Sequence, residues 1–330
     1  MRFCAIFFVV IAASLTACKS PRTGEYSQTV GAPDGAGLDD IKSHGRIEST
    51  RAIRFGLDEF SGMDSVIDPR TGKVTIFGVG DGGFEIIASE FSRDFTGGTS
   101  NTAQLKKLVP RNGNGSQWEG ISADANGLLF VLEESPGTVH VFDSSAKRLI
   151  QTITLDYKHE GLRAGDFEEN SLGEGIALLQ NGHILILKEK DPAMLIEFGP
   201  EGSEPIGVSP ETLIAKREAF KLSDGEAIKY KPLKWWRFTD KAKDLMHDVS
   251  ELAVGPDGGL YALSDESNRL AKLETNLRVK EDKVNIKEYW DLPKSMEHPE
   301  ALTFVGSTPV IGVDSKDSKE NLFVFGPLPE

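Results

Sequence analysis

Cysteine is nearly absent: the 330-residue chain has two, at positions 4 and 18. That excludes a disulfide framework and a cysteine-based zinc or iron–sulfur site. Histidine is scarce too, with 6. No H-E-x-x-H, G-x-S-x-G or G-x-x-x-x-G-K-[ST] occurs, so zincin, nucleophile-elbow and P-loop chemistries drop out. Positive charge is in deficit, with 37 Lys and Arg against 51 Asp and Glu and a net charge of −14. A general nucleic-acid binder needs a basic face, which this balance argues against. The same deficit argues against docking on anionic lipid through a basic surface. What the chain does have is 39% hydrophobic residues, enough for a sizeable core, and 34 Gly with 16 Pro, which suits a turn-rich fold.

Arg2 precedes an apolar run, Ala5 to Leu15, that is too short to span a bilayer. It ends in Leu15-Thr16-Ala17-Cys18. Small residues before a Cys, after a short apolar core, mark a secretory signal over residues 1–17. The segment resembles bacterial lipoprotein signals. That resemblance implies a diacylglyceryl group on the Cys18 sulfur, cleavage before it and acylation of the new amine. It further implies passage to the outer membrane, because Lys19 rather than Asp follows the Cys. Residues 18–50 are then expected to be the lipidated Cys and a flexible tether rich in Gly, Ser, Pro and Asp. Residues 51–330 are expected to form the folded domain.

From residue 51 onward short alternating strands separated by turn signals indicate an all-β chain. A motif recurs in Trp118-Glu119-Gly120-Ile121-Ser122, Gly173-Glu174-Gly175-Ile176-Ala177, Ser250-Glu251-Leu252-Ala253 and Pro299-Glu300-Ala301-Leu302. Phe60-Ser61-Gly62-Met63 is a copy without the acid. Counted from Ser61, the copies lie 58, 55, 77 and 49 residues apart. Each continues as turn, apolar strand, acidic turn and third strand, the form of a radially repeated β-propeller. Five blades are favoured, with room for a sixth in the 77-residue interval. The last repeat has only three strands before the chain stops, so an outer strand from Thr50 to Leu57 is expected to close it.

Glu174-Gly175-Ile176-Ala177 followed by Lys188-Glu189-Lys190-Asp191-Pro192 resembles the SdiA-regulated β-propeller family. Ser250-Glu251-Leu252-Ala253 followed by Leu263-Ser264-Asp265-Glu266-Ser267-Asn268-Arg269-Leu270 carries the same resemblance. The family is grouped with phytase-like propellers, and the resemblance implies a secreted or membrane-associated propeller with a calcium link. The chain departs from the family pattern at Gly62 and Met63, which no Glu precedes, and in its long interval.

Each motif acid begins the innermost strand of a repeat. Antiparallel pairing places the end of the second strand beside it. Glu119 to Glu133, Glu251 to Asp265 and Glu300 to Asp314 are each 14 residues apart, and Asp81 is the counterpart in the first repeat. Glu119, Glu174, Glu251, Glu300, Glu133, Asp265, Asp314 and Asp81 are therefore expected at one mouth of the channel. Clustered carboxylates need cations or shared protons, and calcium suits an irregular set of oxygen ligands. The alternative is that each Glu staples its own blade by accepting backbone N–H bonds, with Lys188, Lys190 and Arg269 neutralising part of the ring. His247 lies four residues before Glu251, and His298 two before Glu300. Both are candidate mouth residues, as is Trp118. Asp64 and Asp68 read as turn residues. No nucleophile or base is evident, so two functions stand side by side. One is a lipid-anchored binding propeller holding calcium and a small molecule or protein partner. The other is a metal-dependent phosphoesterase, esterase or lactonase.

Overall fold

In the computed structural model the described residues are 41–105, 109, 115–162, 167, 171–189, 192–216, 218–315 and 319–329. The signal, Cys18 and most of the tether lie outside them. Two short strands come first, β1 (Lys42–Arg46) and β2 (Ser49–Ile53). Five antiparallel four-stranded units follow. The first is β3 (Gly62–Ile67), β4 (Val74–Val79), β5 (Glu85–Phe91) and β6 (Thr99–Gln104). The second is β7 (Trp118–Ala123), β8 (Leu129–Glu133), β9 (Thr138–Phe142) and β10 (Leu149–Leu155). The third is β11 (Gly175–Leu178), β12 (Ile184–Lys188), β13 (Met194–Pro200) and β14 (Ala227–Phe238). A six-residue helix α1 (Asp240–Leu245), N-capped by the Thr239 hydroxyl, leads to the fourth. That unit holds β15 (Glu251–Val254), β16 (Leu260–Ser264), β17 (Arg269–Leu273) and, after the two-residue β18 (Lys283–Val284), β19 (Ile286–Asp291). The fifth is β20 (Pro299–Val305), β21 (Thr308–Val313) and β22 (Leu322–Phe325), with β2 as its outer strand.

The first strands touch in a closed ring: β3 against β7, β7 against β11, β11 against β15, β15 against β20 and β20 against β3. This is a β-propeller. Its apolar residues fill the layers between neighbouring units. Ile121, Leu129 and Val131 meet Phe77, Val79 and Ile86, for example, and Leu252, Leu260 and Ala262 meet Leu185, Leu187 and Leu195. Both faces of each sheet are thereby buried, which is why the second strands read as continuous apolar runs.

The N-terminal closure is antiparallel, with Arg51 opposite Val324 and Ile53 opposite Leu322. One correction concerns the tether. Its last residues form β1 and the start of β2 rather than free chain, and β1 adds to the fourth unit parallel to β19, with Lys42 opposite Glu288. Lys42-Ser43-His44-Gly45-Arg46 has no apolar alternation to announce this. It is held by backbone pairing and by His44, which stacks on Trp290 at 4.8 Å and bonds Glu288 at 2.8 Å.

The 77-residue interval contains no further four-stranded unit among the described residues. It holds an insertion between β13 and β14. Glu197 is fully buried and anchors it, accepting from the backbone of Ile206 at 2.8 Å and Gly207 at 3.0 Å and bonding His183 at 2.7 Å. From there the insertion pairs Val208 with Leu277 and Leu213 with Leu179. It ends against the β7–β8 turn, where the Phe220 amide donates to Asp124 at 2.9 Å. It thus crosses the end of the channel opposite the motif acids.

Candidate functional site

Each innermost strand opens on a β-bulge. In β7, Trp118 is opposite Glu133 and Gly120 is opposite Leu132, so Glu119 is the extra residue. In β20, Pro299 is opposite Val313 and Ala301 opposite Gly312, leaving Glu300 extra. Ser61, Glu174 and Ser250 behave alike, donating their N–H to the carbonyls of Val79, Leu187 and Leu263. Those carbonyls belong to the residues already opposite Gly62, Gly175 and Glu251. A bulge re-aims a side chain out of the alternating pattern. Five bulges in a ring therefore aim Ser61, Glu119, Glu174, Ser250 and Glu300 into one cavity of about 290 Å³, joined there by Glu189, Asp248, Asp265 and Glu266.

This ring corrects the sequence reading of the fourth repeat. Ser250, not Glu251, occupies the bulge, and Glu251 stands where the other copies have Gly62, Gly120, Gly175 and Ala301. It is buried, and its carboxylate accepts from its own Leu252 amide at 2.8 Å and, across the channel, from Met63 at 3.2 Å. The staple chemistry therefore fits Glu251. Glu133 is likewise not at the mouth. Two residues beyond Val131 on the same face of β8, it turns into the blade and bonds His140 at 2.6 Å. Its neighbour Glu134 faces the ring instead and raises the pKa of Glu119 and Glu174. Trp118 is fully buried between the first two units, edge-on to Phe84 at 5.8 Å, and does not wall the mouth. His247 is exposed and does not line the cavity; its backbone N–H donates to Ser267 at 2.9 Å. Arg269 turns away to Asp291 at 2.9 Å and the Leu245 carbonyl. Lys188 is buried and donates to Ser171 at 2.9 Å. Lys190 lies outside the described residues.

Other expectations converge. Asp265, His298 and Glu300 offer ligand atoms within 4.8 Å of one another. His298 bonds Asp265 at 3.1 Å, and this bond raises its pKa. Asp314 and the exposed Asp81 lie close enough to raise Glu300. Burial, then Glu134 and Asp81, push Glu119 up to about 8 even though the Ser61 hydroxyl favours its charged form. Burial, then Asp314 and Asp265, push Glu300 up to about 9. Burial, then Glu119 and Glu134, hold Glu174 well above the carboxylate range. Burial and then mutual repulsion thus favour the protonated forms of these acids, and a divalent cation at the mouth would favour the charged ones.

Deeper in the channel are two residues that local sequence signals hide. Asp64 is not a turn residue, though Asp68 is. Asp64 is buried in β3 and accepts from Ser65 at 2.7 Å, Ala123 at 2.8 Å and Thr303 at 3.1 Å, and also from Lys216 of the insertion. Surrounding protein presses Lys216 down toward about 7. The Glu251 charge opposes this, and the side chain stays 36% accessible. Beside it remains a cavity of about 20 Å³, room for about one water molecule.

No curated protein matches the chain. Among solved structures, regucalcin, a calcium-binding protein from Agrobacterium tumefaciens str. C58, is 9% identical with a TM-score of 0.45, over 87% of this chain and 96% of that one. The PQQ-bound aldose sugar dehydrogenase of Streptomyces coelicolor is 10% identical with a TM-score of 0.43, over 84% and 97%. Virginiamycin B lyase of Staphylococcus aureus is 12% identical with a TM-score of 0.35, over 84% and 74%. The SdiA-regulated family matches residues 117–308, more than half of the chain and a stretch that includes Glu119, Glu174, Ser250 and Glu300; the chain belongs to that family.

Proposed function

We propose that this protein is an envelope-anchored binding propeller. Lipid at Cys18 holds it to the membrane, and the acidic mouth takes a divalent cation, calcium by its chemistry, together with a ligand or partner. The observation that carries this is the bulge ring: Glu119, Glu174 and Glu300 line one cavity, where burial and then neighbouring carboxylates raise their pKa values. The oxygens of these acids, with Ser61, Ser250 and Asp265, form the hard and irregular donor set that calcium tolerates. The residues thus fit the ion, which would supply positive charge to the mouth.

Cation binding to protonated carboxyls must release protons. Calcium titrated into weakly buffered protein at pH 7 should therefore acidify the solution, and its apparent affinity should rise between pH 7 and 9. The slope should be about tenfold per pH unit for each proton displaced. Calorimetry in buffers of different ionisation enthalpy reads both quantities. Binding without proton release, or no binding up to millimolar calcium, would sink the cation reading.

The Asp265–His298 pair beside Glu300 favours a second reading, hydrolysis with His298 as a base. Phosphate-ester, carboxylate-ester and lactone substrates assayed with and without chelator decide it. Turnover that is lost on chelation and in His298→Ala would put hydrolysis first.

Anchoring is tested separately. Cys18→Ser should abolish fatty-acid labelling and release the protein from the membrane fraction. Labelling that persists in the variant would remove the lipid from this account.

A further inference from the structure

We infer that the outer edge of the fourth unit, away from the acidic mouth, is a docking surface for anionic lipid headgroups. Three independent features meet there. The loop between β17 and β18 carries Arg278 and Lys280, which with Lys283 of β18 and Lys287 of β19 line a groove of about 760 Å³. Arg237 is the strand partner of Lys283. At the tip, between Arg278 and Lys280, stands Val279, 41% accessible and the one large apolar side chain exposed among the described residues. The chain enters the folded body at the same edge, where Lys42 pairs with Glu288, next to Lys287.

The charges decide which partner fits. The groove sets Arg278, Lys280, Lys283 and Lys287 against Glu274, Glu281 and Asp282; Arg237 pairs with Lys283 and Lys42 with Glu288 in strand register, and Glu288 is also bonded by Lys272 and His44. Two of the three acids are bonded within this edge. Glu281 accepts from the Arg278 amide and Glu274 from Asn285, both at 3.4 Å. A cationic surface on a chain of net charge −14 is a local reversal that the total conceals. Basic side chains around one apolar tip suit a headgroup layer, where Lys and Arg meet phosphates and an apolar side chain enters the interface. The Leu277–Val208 bridge ties this loop to the insertion that covers the far end of the channel. Docking here leaves the acidic mouth clear of the bilayer.

The inference rests on the anchored reading only for bringing the edge to a membrane, so the test uses the mature chain with Cys18→Ser, which carries no lipid. Such protein should cosediment with vesicles of phosphatidylcholine containing about 30% phosphatidylglycerol and not with pure phosphatidylcholine, and about 0.5 M salt should release it. Lys280→Glu with Lys283→Glu and Lys287→Glu should weaken binding at least tenfold, and Val279→Ala about threefold. Reversing three exposed cations elsewhere, Lys73, Lys147 and Arg148, should leave binding within twofold, and melting curves should show all variants folded. No binding of the parent protein to anionic vesicles, or equal losses in both triple variants, would overturn the inference. Neither result bears on fatty-acid labelling at Cys18.

Discussion

Replacing Glu174 and Glu300 together by Gln should stabilise the metal-free protein at pH 8 and abolish its thermal response to calcium. A carboxyl whose pKa is raised in the folded state holds its proton more tightly folded than unfolded. Its contribution is complete below the ordinary value of 4.5 and is lost as pH rises through the folded value. For Glu119 and Glu300 those folded values are about 8 and about 9. Each pH unit that separates the folded value from the unfolded one corresponds to about 1.4 kcal/mol, discounted here because both side chains keep some contact with water. The metal-free melting temperature should therefore fall steadily from pH 5 to pH 9, and saturating calcium should flatten that fall. Gln is shaped like the protonated acid and does not ionise. The double variant should gain on the order of 2–4 kcal/mol at pH 8, or roughly 5–10 °C for a domain of this size. In the parent, calcium at a hundred times its dissociation constant should add about 2.7 kcal/mol. Scanning calorimetry at several pH values with and without calcium reads all of this. A metal-free melt that is flat with pH, or a double variant that still responds to calcium, would remove the protonated ring.

The second large effect is at the closure. Past Ile53 the chain leaves β2, and the side chain of Asn321 takes over the work of strand pairing. Its Oδ1 accepts from the Phe55 amide at 2.8 Å, and its Nδ2 donates to the Leu57 carbonyl. Its own amide donates to the Ile53 carbonyl at 3.0 Å. Asn321 is fully buried, and it seats Phe55 against Phe60 at 4.9 Å. Asn321→Ala leaves two buried backbone groups unpaired at about 1–3 kcal/mol each. The expected loss is about 3–5 kcal/mol, read by urea unfolding of the whole domain, since opening this closure frees an edge of the ring. A loss under about 1 kcal/mol would mean that the N-terminal segment is not what shuts the propeller.

The repeat was legible because the innermost strands present one short pattern, an acid or serine, then a residue with little or no side chain in every copy but the fourth, where Glu251 stands, then an apolar one. The glycines marked the register better than the acids did. A Cβ on Gly62 would sit 2.7 Å from the Glu119 carbonyl, and one on Gly175 would sit 2.6 Å from the Leu252 amide, so these positions are set by the approach of the next strand. Aligning Ser250-Glu251 by its acid instead slipped the fourth copy by one residue and sent Glu251 to the wrong face. Glu133 failed for a related reason: the 14-residue spacing places it at the end of β8 but does not say to which side it turns. Asp64 and Lys216 were out of reach, because their meeting spans 152 residues and depends on how an insertion is laid across the ring. Nothing in Lys216 or its neighbours in sequence carries that path. The basic edge at Arg278 to Lys287 was hidden by the opposite sign of the whole chain.

The insertion narrows the far end of the channel, and a narrow end imposes an order on what the wide end holds. Lys216 bonds Asp64 there and Glu251 reaches across to Met63, leaving room for about one water molecule, while Glu119, Glu174 and Glu300 line the wider cavity. If an ion sits among those acids, a larger ligand over the mouth lies on its widest way out, and the ion's escape rate would then be set by the departure of that ligand.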